Sequence, residues 1–206
     1  MIHICDDFFE DPHKVRSIAL KQKYVTERLN YPGIRCLDVP EEITDYILSY
    51  VRYITKKSSL TLTTSVFHSI TKEFGDGIFH GDFDYDYICI NYLSLGSHLH
   101  CGTEICDYDS FSHWGQLKNI MLYDEKTTKI QHAFHKNPFN LINRYRYGRI
   151  RKKINSYYQP DFIVSNKFNR CVMFPSRNFH RAQNFFGTSL ENSRLTIVSF
   201  MNKNEI

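Results

Sequence analysis

The sequence has no Cys-x-x-Cys pair. Its six cysteines (Cys5, Cys36, Cys89, Cys101, Cys106 and Cys171) are scattered, which argues against a zinc ribbon or a disulfide scaffold and for reduced thiols in a cytosolic compartment. No leader with an apolar central region opens the chain, and no apolar run approaches the length needed to span a bilayer. The expectation is a cytoplasmic protein without a membrane partner. Internal repeats and low-complexity linkers are also missing. Charge of one sign is scarce as well: a formal net charge of +4 weakly favours anionic partners and does not by itself indicate nucleic acid.

What is present points to one globular domain over residues 1–206, long enough for a sizeable core. Sixteen Phe and fourteen Tyr favour a β-rich interior. Ile2 to Cys5 reads as a short opening strand. Asp11-Pro12 opens a helix, with Asp as N-cap and Pro at the first helical position, where its missing N–H costs nothing. After a turn or loop at Tyr31-Pro32-Gly33, Pro40-Glu41-Glu42 starts a second helix. Ile43, Tyr46, Ile47, Tyr50, Val51 and Ile54 recur along it at three and four, and Lys56-Lys57 ends it. Strand patterns follow at Leu62–Phe67, Tyr87–Leu93, Arg170–Phe174 and Leu195–Phe200. Residues 105–160 hold the single Trp (Trp114) and a basic run, and read as a variable insertion of loops with at most a short helix. Helices first and a mostly antiparallel β core after them make an α+β fold on a sandwich or barrel.

Two stretches carry chemistry, Phe79-His80-Gly81-Asp82 and Asn178-Phe179-His180. On an extended chain His80 and Asp82 point to the same side, and Gly81 lets the backbone bend between them. With His180 they supply two imidazoles and one carboxylate, the set that holds non-haem Fe(II) while leaving positions open for a co-substrate and O2. A lone His-x-Asp is weak as a motif, so its company matters. If the strand ending near His180 pairs antiparallel with the one starting at Arg194, Arg194 lies beside His180. Its planar, permanently charged fork then suits the far carboxylate of a metal-chelating 2-oxo diacid. Thr196, two residues on, shares that face.

Taken in order, His80-Gly81-Asp82, His180, and Arg194-Leu195-Thr196 fourteen residues later resemble the 2-oxoglutarate- and Fe(II)-dependent oxygenases, specifically the prolyl 4-hydroxylase-like branch and its bacterial and phage relatives. Ile90-Asn91-Tyr92-Leu93-Ser94 resembles the Tyr-Leu-Asn strand that follows the aspartate in that family, and Gly102-Thr103 its next strand opening. Tyr31-Pro32-Gly33-Ile34-Arg35 and the Asp-Pro helix look like the N-terminal part of those relatives. The resemblance covers most of the chain and is weakest over residues 105–160. It implies a double-stranded β-helix (jelly-roll) core with the N-terminal helices packed on it. It also implies Fe(2+) held by His80, Asp82 and His180, and 2-oxoglutarate tied by Arg194 with Thr196. Asn91 stands where the branch often has a Tyr that helps bind the co-substrate. A carboxylate ligand such as Asp82 goes with hydroxylation rather than halogenation. The implied reaction consumes O2 and 2-oxoglutarate, releases succinate and CO2, and hydroxylates an unidentified peptide, amino acid or nucleotide, or demethylates it through a hydroxylated intermediate.

Competing readings use some of the same residues. His98, His100 and Glu104 with His180 resemble a cupin metal set, but Arg177 sits where that motif wants Gly, and Asp82 and Arg194 are left without a role. Asp82-x-Asp84-x-Asp86 hints at a calcium loop but has Leu93 where the closing Glu belongs. Arg144 to Lys153 holds six cations interleaved with Tyr145 and Tyr147. That is the composition of a single-stranded nucleic-acid groove, but a solvated helix face or a loop over the active site is the favoured explanation. A non-catalytic nucleic-acid-binding module on the same barrel is the alternative of a different class.

Overall fold

The computed structural model describes residues 1–26, 30–107 and 124–203; Trp114 lies outside the described residues. The elements run β1 (His3–Cys5), α1 (Pro12–Lys21), β2 (Ile34–Cys36), α2 (Glu41–Thr55), β3 (Leu60–Ile70), β4 (Tyr87–Tyr92), β5 (Ser97–Ile105), α3 (Glu125–Lys136), α4 (Leu141–Asn155), β6 (Phe162–Lys167), β7 (Cys171–Pro175), β8 (His180–Ala182) and β9 (Arg194–Lys203). The local rules that start α1 operate as expected: Asp11 caps it by accepting from the Lys14 N–H, with Pro12 at its start. Helix α2 carries Glu41 and Glu42 in its first turn and ends at Lys56, whose backbone is left-handed (φ 57°).

The strands form a six-stranded sheet in the order β1-β7-β4-β9-β3-β2 and a three-stranded sheet in the order β6-β5-β8. Every pairing is antiparallel. Alternation along the strands sends successive side chains to opposite faces. On the outer face of the larger sheet, Phe67, Cys89, Leu93, Cys171, Met173, Leu195 and Ile197 share one buried cluster with Val15 and Ala19 of α1 and Ile43, Ile47 and Val51 of α2. On the inner face, Ile88, Ile90, Tyr92, Val172 and Phe174 meet Ile105 of β5 and Val164 of β6, closing the space between the sheets. Each such buried aliphatic contributes about 1.5–3 kcal/mol relative to exposure.

Two expectations need correction. Residues 105–160 are not loops with a short helix, because α3 and α4 span 12 and 15 residues. Asp124 and Asn140 cap them through their side chains, and Phe134, Tyr147 and Ile154 are their buried apolar positions, while Leu141, Ile142 and Tyr145 are exposed. Phe134 and Tyr147 stack in one cluster with Phe74, and Ile154 packs in another with Phe79 and Phe179. The density of cations on α4 dilutes the periodicity that would have marked it. The strand at His180 also does not pair with the one at Arg194. Strand β8 pairs with β5 in the smaller sheet, whereas β9 pairs with β3 and β4 in the larger. His180 and Arg194 therefore stand on different sheets, not along one ladder.

Candidate metal centre

The segment before Asp82 is laid down as an extension of the smaller sheet. His80 and His180 exchange both backbone hydrogen bonds, at 3.1 and 2.9 Å, as an isolated antiparallel bridge. The Asp82 N–H donates to the Ser176 carbonyl at 3.0 Å. Helix α4 supports the approach to this segment: Asn155 accepts from the Phe79 N–H and donates to the Gly77 carbonyl, and Arg151 donates to the carbonyls of Phe74 and Asp76. Gly81 serves space rather than a special backbone angle, since a Cβ there would meet the Phe83 ring at 2.8 Å and the Phe179 ring at 3.3 Å.

These constraints converge His80, Asp82 and His180. One ligand atom from each lies within 4.8 Å of the others. Asp82 Oδ2 is 3.4 Å from His180 Nε2 and 3.9 Å from His80 Nε2. Among the described residues this is the only cluster of three or more such groups that could hold a metal. Both imidazoles are oriented in the same way. His80 Nδ1 lies 2.8 Å from the Ile78 carbonyl and His180 Nδ1 lies 2.9 Å from the Asn178 carbonyl. A carbonyl can only accept, so each Nδ1 carries the proton and each Nε2 turns a lone pair toward Asp82, as metal-ligating histidines do. Burial and the neighbouring His180 push the His80 pKa down, favouring its neutral form. Burial pushes the Asp82 carboxyl up, but its contacts with the two imidazoles and the Arg35 charge outweigh it and hold it at about 2. Two neutral nitrogens and one carboxylate, partly open to solvent on the His80 side, fit a divalent transition metal.

Deeper between the sheets lies Arg194, 3% exposed. Its guanidinium donates to the carbonyls of Cys101 and Gly102 and to Thr103 Oγ1 at 3.3 Å, and sits 5.4 Å from the Tyr92 ring centroid. No carboxylate among the described residues pairs with it. Burial pulls its pKa down, the mark of a desolvated cation. Thr196 shares the inward face and is fully buried, its hydroxyl 3.5 Å from the His68 carbonyl. Asn166 on β6 lies on the same inward face as Val164. It is fully buried, and neither its amide oxygen nor its nitrogen has a partner. A buried cation without a counter-ion and a buried unsatisfied amide are each costly unless a ligand pairs with them.

Asn91 is placed elsewhere. It alternates with Cys89 and Leu93 on the helix-covered face, where Cys89 Sγ contacts its amide oxygen at 3.7 Å. The inward residue is its neighbour Tyr92, whose hydroxyl meets Thr103 Oγ1 at 2.6 Å. A shift of one residue exchanges the faces of a strand, and the alternation Ile88, Ile90, Tyr92 was the signal that could have found it. The cupin set is not assembled. His180 lies opposite Ile105, so Glu104 points to the other side of its sheet, where it pairs with Arg181 and accepts from Gln183 at 2.8 Å. His98 stacks on Phe186 at 3.9 Å, and His100 is exposed. No calcium loop forms either: Asp86 accepts from the Lys203 N–H, and Asp84 is exposed in a turn.

No family model matches the sequence, and no curated protein matches it. Solved structures do resemble the fold. HygX from Streptomyces hygroscopicus, with nickel and 2-oxoglutarate bound, superposes with a TM-score of 0.61 at 15% identity, covering 100% of this chain and 84% of HygX. AviO1 from Streptomyces viridochromogenes Tue57 gives 0.55 at 10% identity, over 99% of this chain and 90% of AviO1. SnoN, the non-heme alpha ketoglutarate dependent epimerase from nogalamycin biosynthesis, gives 0.54 at 10% identity, over 97% of this chain and 76% of SnoN.

Proposed function

We propose that this protein is an Fe(II)- and 2-oxoglutarate-dependent dioxygenase on a double-stranded β-helix, acting as a hydroxylase. The observation that carries the reading is a two-histidine, one-carboxylate cluster in a sandwich whose interior also holds a buried arginine with no acidic partner among the described residues. The likeness to HygX, solved with nickel and 2-oxoglutarate, supports it. His80, Asp82 and His180 would hold the iron, and when bound the metal with its co-substrate supplies the oxidising chemistry. The chain's own part is positional. Carbonyl-anchored Nδ1 atoms present Nε2 lone pairs from both histidines, and Asp82 remains ionised throughout the physiological range. Arg194 offers the far carboxylate a charged fork, with Thr196, Thr103 and the Tyr92 hydroxyl around it. Asn166 offers an unpartnered amide on the same inner face. The apolar rows of Ile88, Ile90, Val172 and Phe174 keep the interior behind the site dry.

Anaerobic addition of Fe(II) and 2-oxoglutarate is expected to give a weak visible metal-to-ligand charge-transfer band. The band should be absent in Asp82→Ala and weakened in Arg194→Ala. Well-folded wild-type protein without the band would overturn the reading. SnoN is an epimerase, so the hydroxylase assignment is tested separately by succinate release and product mass over peptides, amino acids and nucleotides. A mass gain of one oxygen supports it, and an unchanged product mass would replace it with isomerisation.

Nucleic acid is the second partner reading. Helix α4 exposes Arg144, Arg146, Arg149, Lys152 and Lys153, whereas Arg151 is committed to the Phe74 and Asp76 carbonyls. Salt-dependent binding of single-stranded oligonucleotides that survives neutralisation of Arg149 and Lys152 would remove this helix from the story. The six free thiols suit a reducing cytoplasm.

A further inference from the structure

Arg35 has no part in the iron or 2-oxoglutarate sites just described, yet it faces them. It lies on β2, directly opposite His68 on β3, and His68 lies opposite Thr196, which lies opposite Tyr92. Directly opposed residues in a ladder share a face. Arg35, His68, Thr196 and Tyr92 therefore form one row across the inner surface of the sheet, with Arg35 at the edge. Arg35 and Arg194 stand two strands apart, about 10 Å laterally, and serve different ends of the cavity. The Arg35 charge lowers the pKa of His68 and acts in the same direction on His80 and Asp82.

The surroundings of Arg35 are those of an unfilled anion site. Its guanidinium carbon sits 3.2 Å from the Tyr31 ring centroid, so one face of the fork is spent on stacking. Its Nε is buried without a hydrogen-bond partner. Among the described residues no carboxylate comes within 4.0 Å of it, Asp82 included. It therefore does not hold Asp82 in place as an ion pair. His68, its neighbour, donates from Nε2 to the Pro32 carbonyl at 2.8 Å and is kept neutral by burial, so it offers no negative charge.

We propose that Arg35, stacked on Tyr31, is the subsite for an oxyanion, a carboxylate or a phosphate, on the primary substrate. Arg presents a rigid bidentate fork that matches either group. The inference rests on the oxygenase reading for what occupies Arg194, and it narrows the substrate to anionic molecules whose reacting carbon lies near the metal. Neutral and purely cationic substrates are excluded.

The test is calorimetric titration of acetate and of methyl phosphate into protein loaded with Ni(II) and 2-oxoglutarate, with sodium chloride at matched ionic strength as control. At least one probe is expected to bind, and the tighter one identifies the oxyanion. Arg35→Gln should weaken that binding at least tenfold while leaving 2-oxoglutarate affinity unchanged. Arg35→Lys, which keeps the charge and loses the fork, should fall between and serves if the Gln variant does not fold. No binding of either probe by loaded wild type, or equal binding by Arg35→Gln, overturns the proposal. A rise in the 2-oxoglutarate dissociation constant in Arg35→Gln does the same, by assigning Arg35 to the co-substrate. If 2-oxoglutarate itself fails to bind wild type, the oxygenase reading fails instead. The probes are then titrated into metal-free Arg194→Gln with and without Arg35→Gln, where the same tenfold difference or its absence decides the role of Arg35.

Discussion

The two faces of the six-stranded sheet come from the same strands and carry opposite chemistry. Along β9, Leu195 and Ile197 turn outward into the cluster with α1 and α2, while Arg194 and Thr196 turn inward. Along β4, Cys89 and Leu93 turn outward, and Tyr92 turns inward beside Arg194. Both faces are buried; the outer one is packed mainly by apolar side chains, although Asn91 among them keeps an amide nitrogen without a partner. The inner face keeps the Arg194 guanidinium, which no acid among the described residues pairs with, and the smaller sheet adds the unpartnered amide of Asn166 on β6. Buried polar groups left unpaired cost about 1–3 kcal/mol each; on the proposed function the outer face serves stability and the inner one ligand binding.

This comparison can be broken by substitutions on single faces. Ile47, fully buried on α2 against the outer face, is replaced by Ala with an expected loss of about 2–5 kcal/mol in chemical unfolding. The variant that remains folded should bind 2-oxoglutarate as wild type does, and a changed affinity would show that the faces are coupled. A sharper contrast uses adjacent residues. Tyr92→Phe removes the hydroxyl that meets Thr103 and should weaken 2-oxoglutarate by about 1 kcal/mol, several-fold in calorimetry. Asn91→Ala should leave that affinity unchanged, and the reverse pattern would mean that the register of β4 is wrong by one residue. The smallest effect lies at the sheet's far edge. Asp6 receives both Arg170 and Lys167, and its hydrogen bond from Arg170 outweighs desolvation and holds its pKa below the ordinary value. Its folded pKa is depressed, so its contribution is present above pH about 4 and is lost as the pH falls further. Asp6→Asn should cost less than about 1 kcal/mol at neutral pH and flatten the loss of stability on acidification.

The sequence made much of this legible for definite reasons. Asp11-Pro12 and Glu41-Glu42 mark helix starts through capping and dipole chemistry, and β3, β4, β7 and β9 are dense in β-branched or aromatic residues. Strand β5 was hidden because Ser97-His98-Leu99-His100-Cys101-Gly102 has no clean apolar alternation, and its pairing with β6 is irregular between His98 and Thr103. Strand β8 has three residues and cannot show a period. At the site, His80, Asp82 and His180 meet because a backbone bridge joins two segments a hundred residues apart. The i, i+2 spacing made the first pair readable, and the third needed the family resemblance. Arg194 was found with the wrong neighbour strand, and Tyr92 was missed for Asn91 by one position. Arg35 was visible only as part of Tyr31-Pro32-Gly33-Ile34-Arg35; its place beside the cluster depends on the β2–β3 register, which nothing local specifies.

The central claim is that the metal cluster and Arg194 hold the two ends of one co-substrate. Calorimetric titration of 2-oxoglutarate into Ni(II)-loaded and metal-free protein, wild type and Arg194→Ala, tests it most directly. Binding should require the metal and weaken at least tenfold in the variant, on the order of 2 kcal/mol for a charge-assisted pair. Equal affinity with and without metal, or equal affinity in Arg194→Ala, would contradict it.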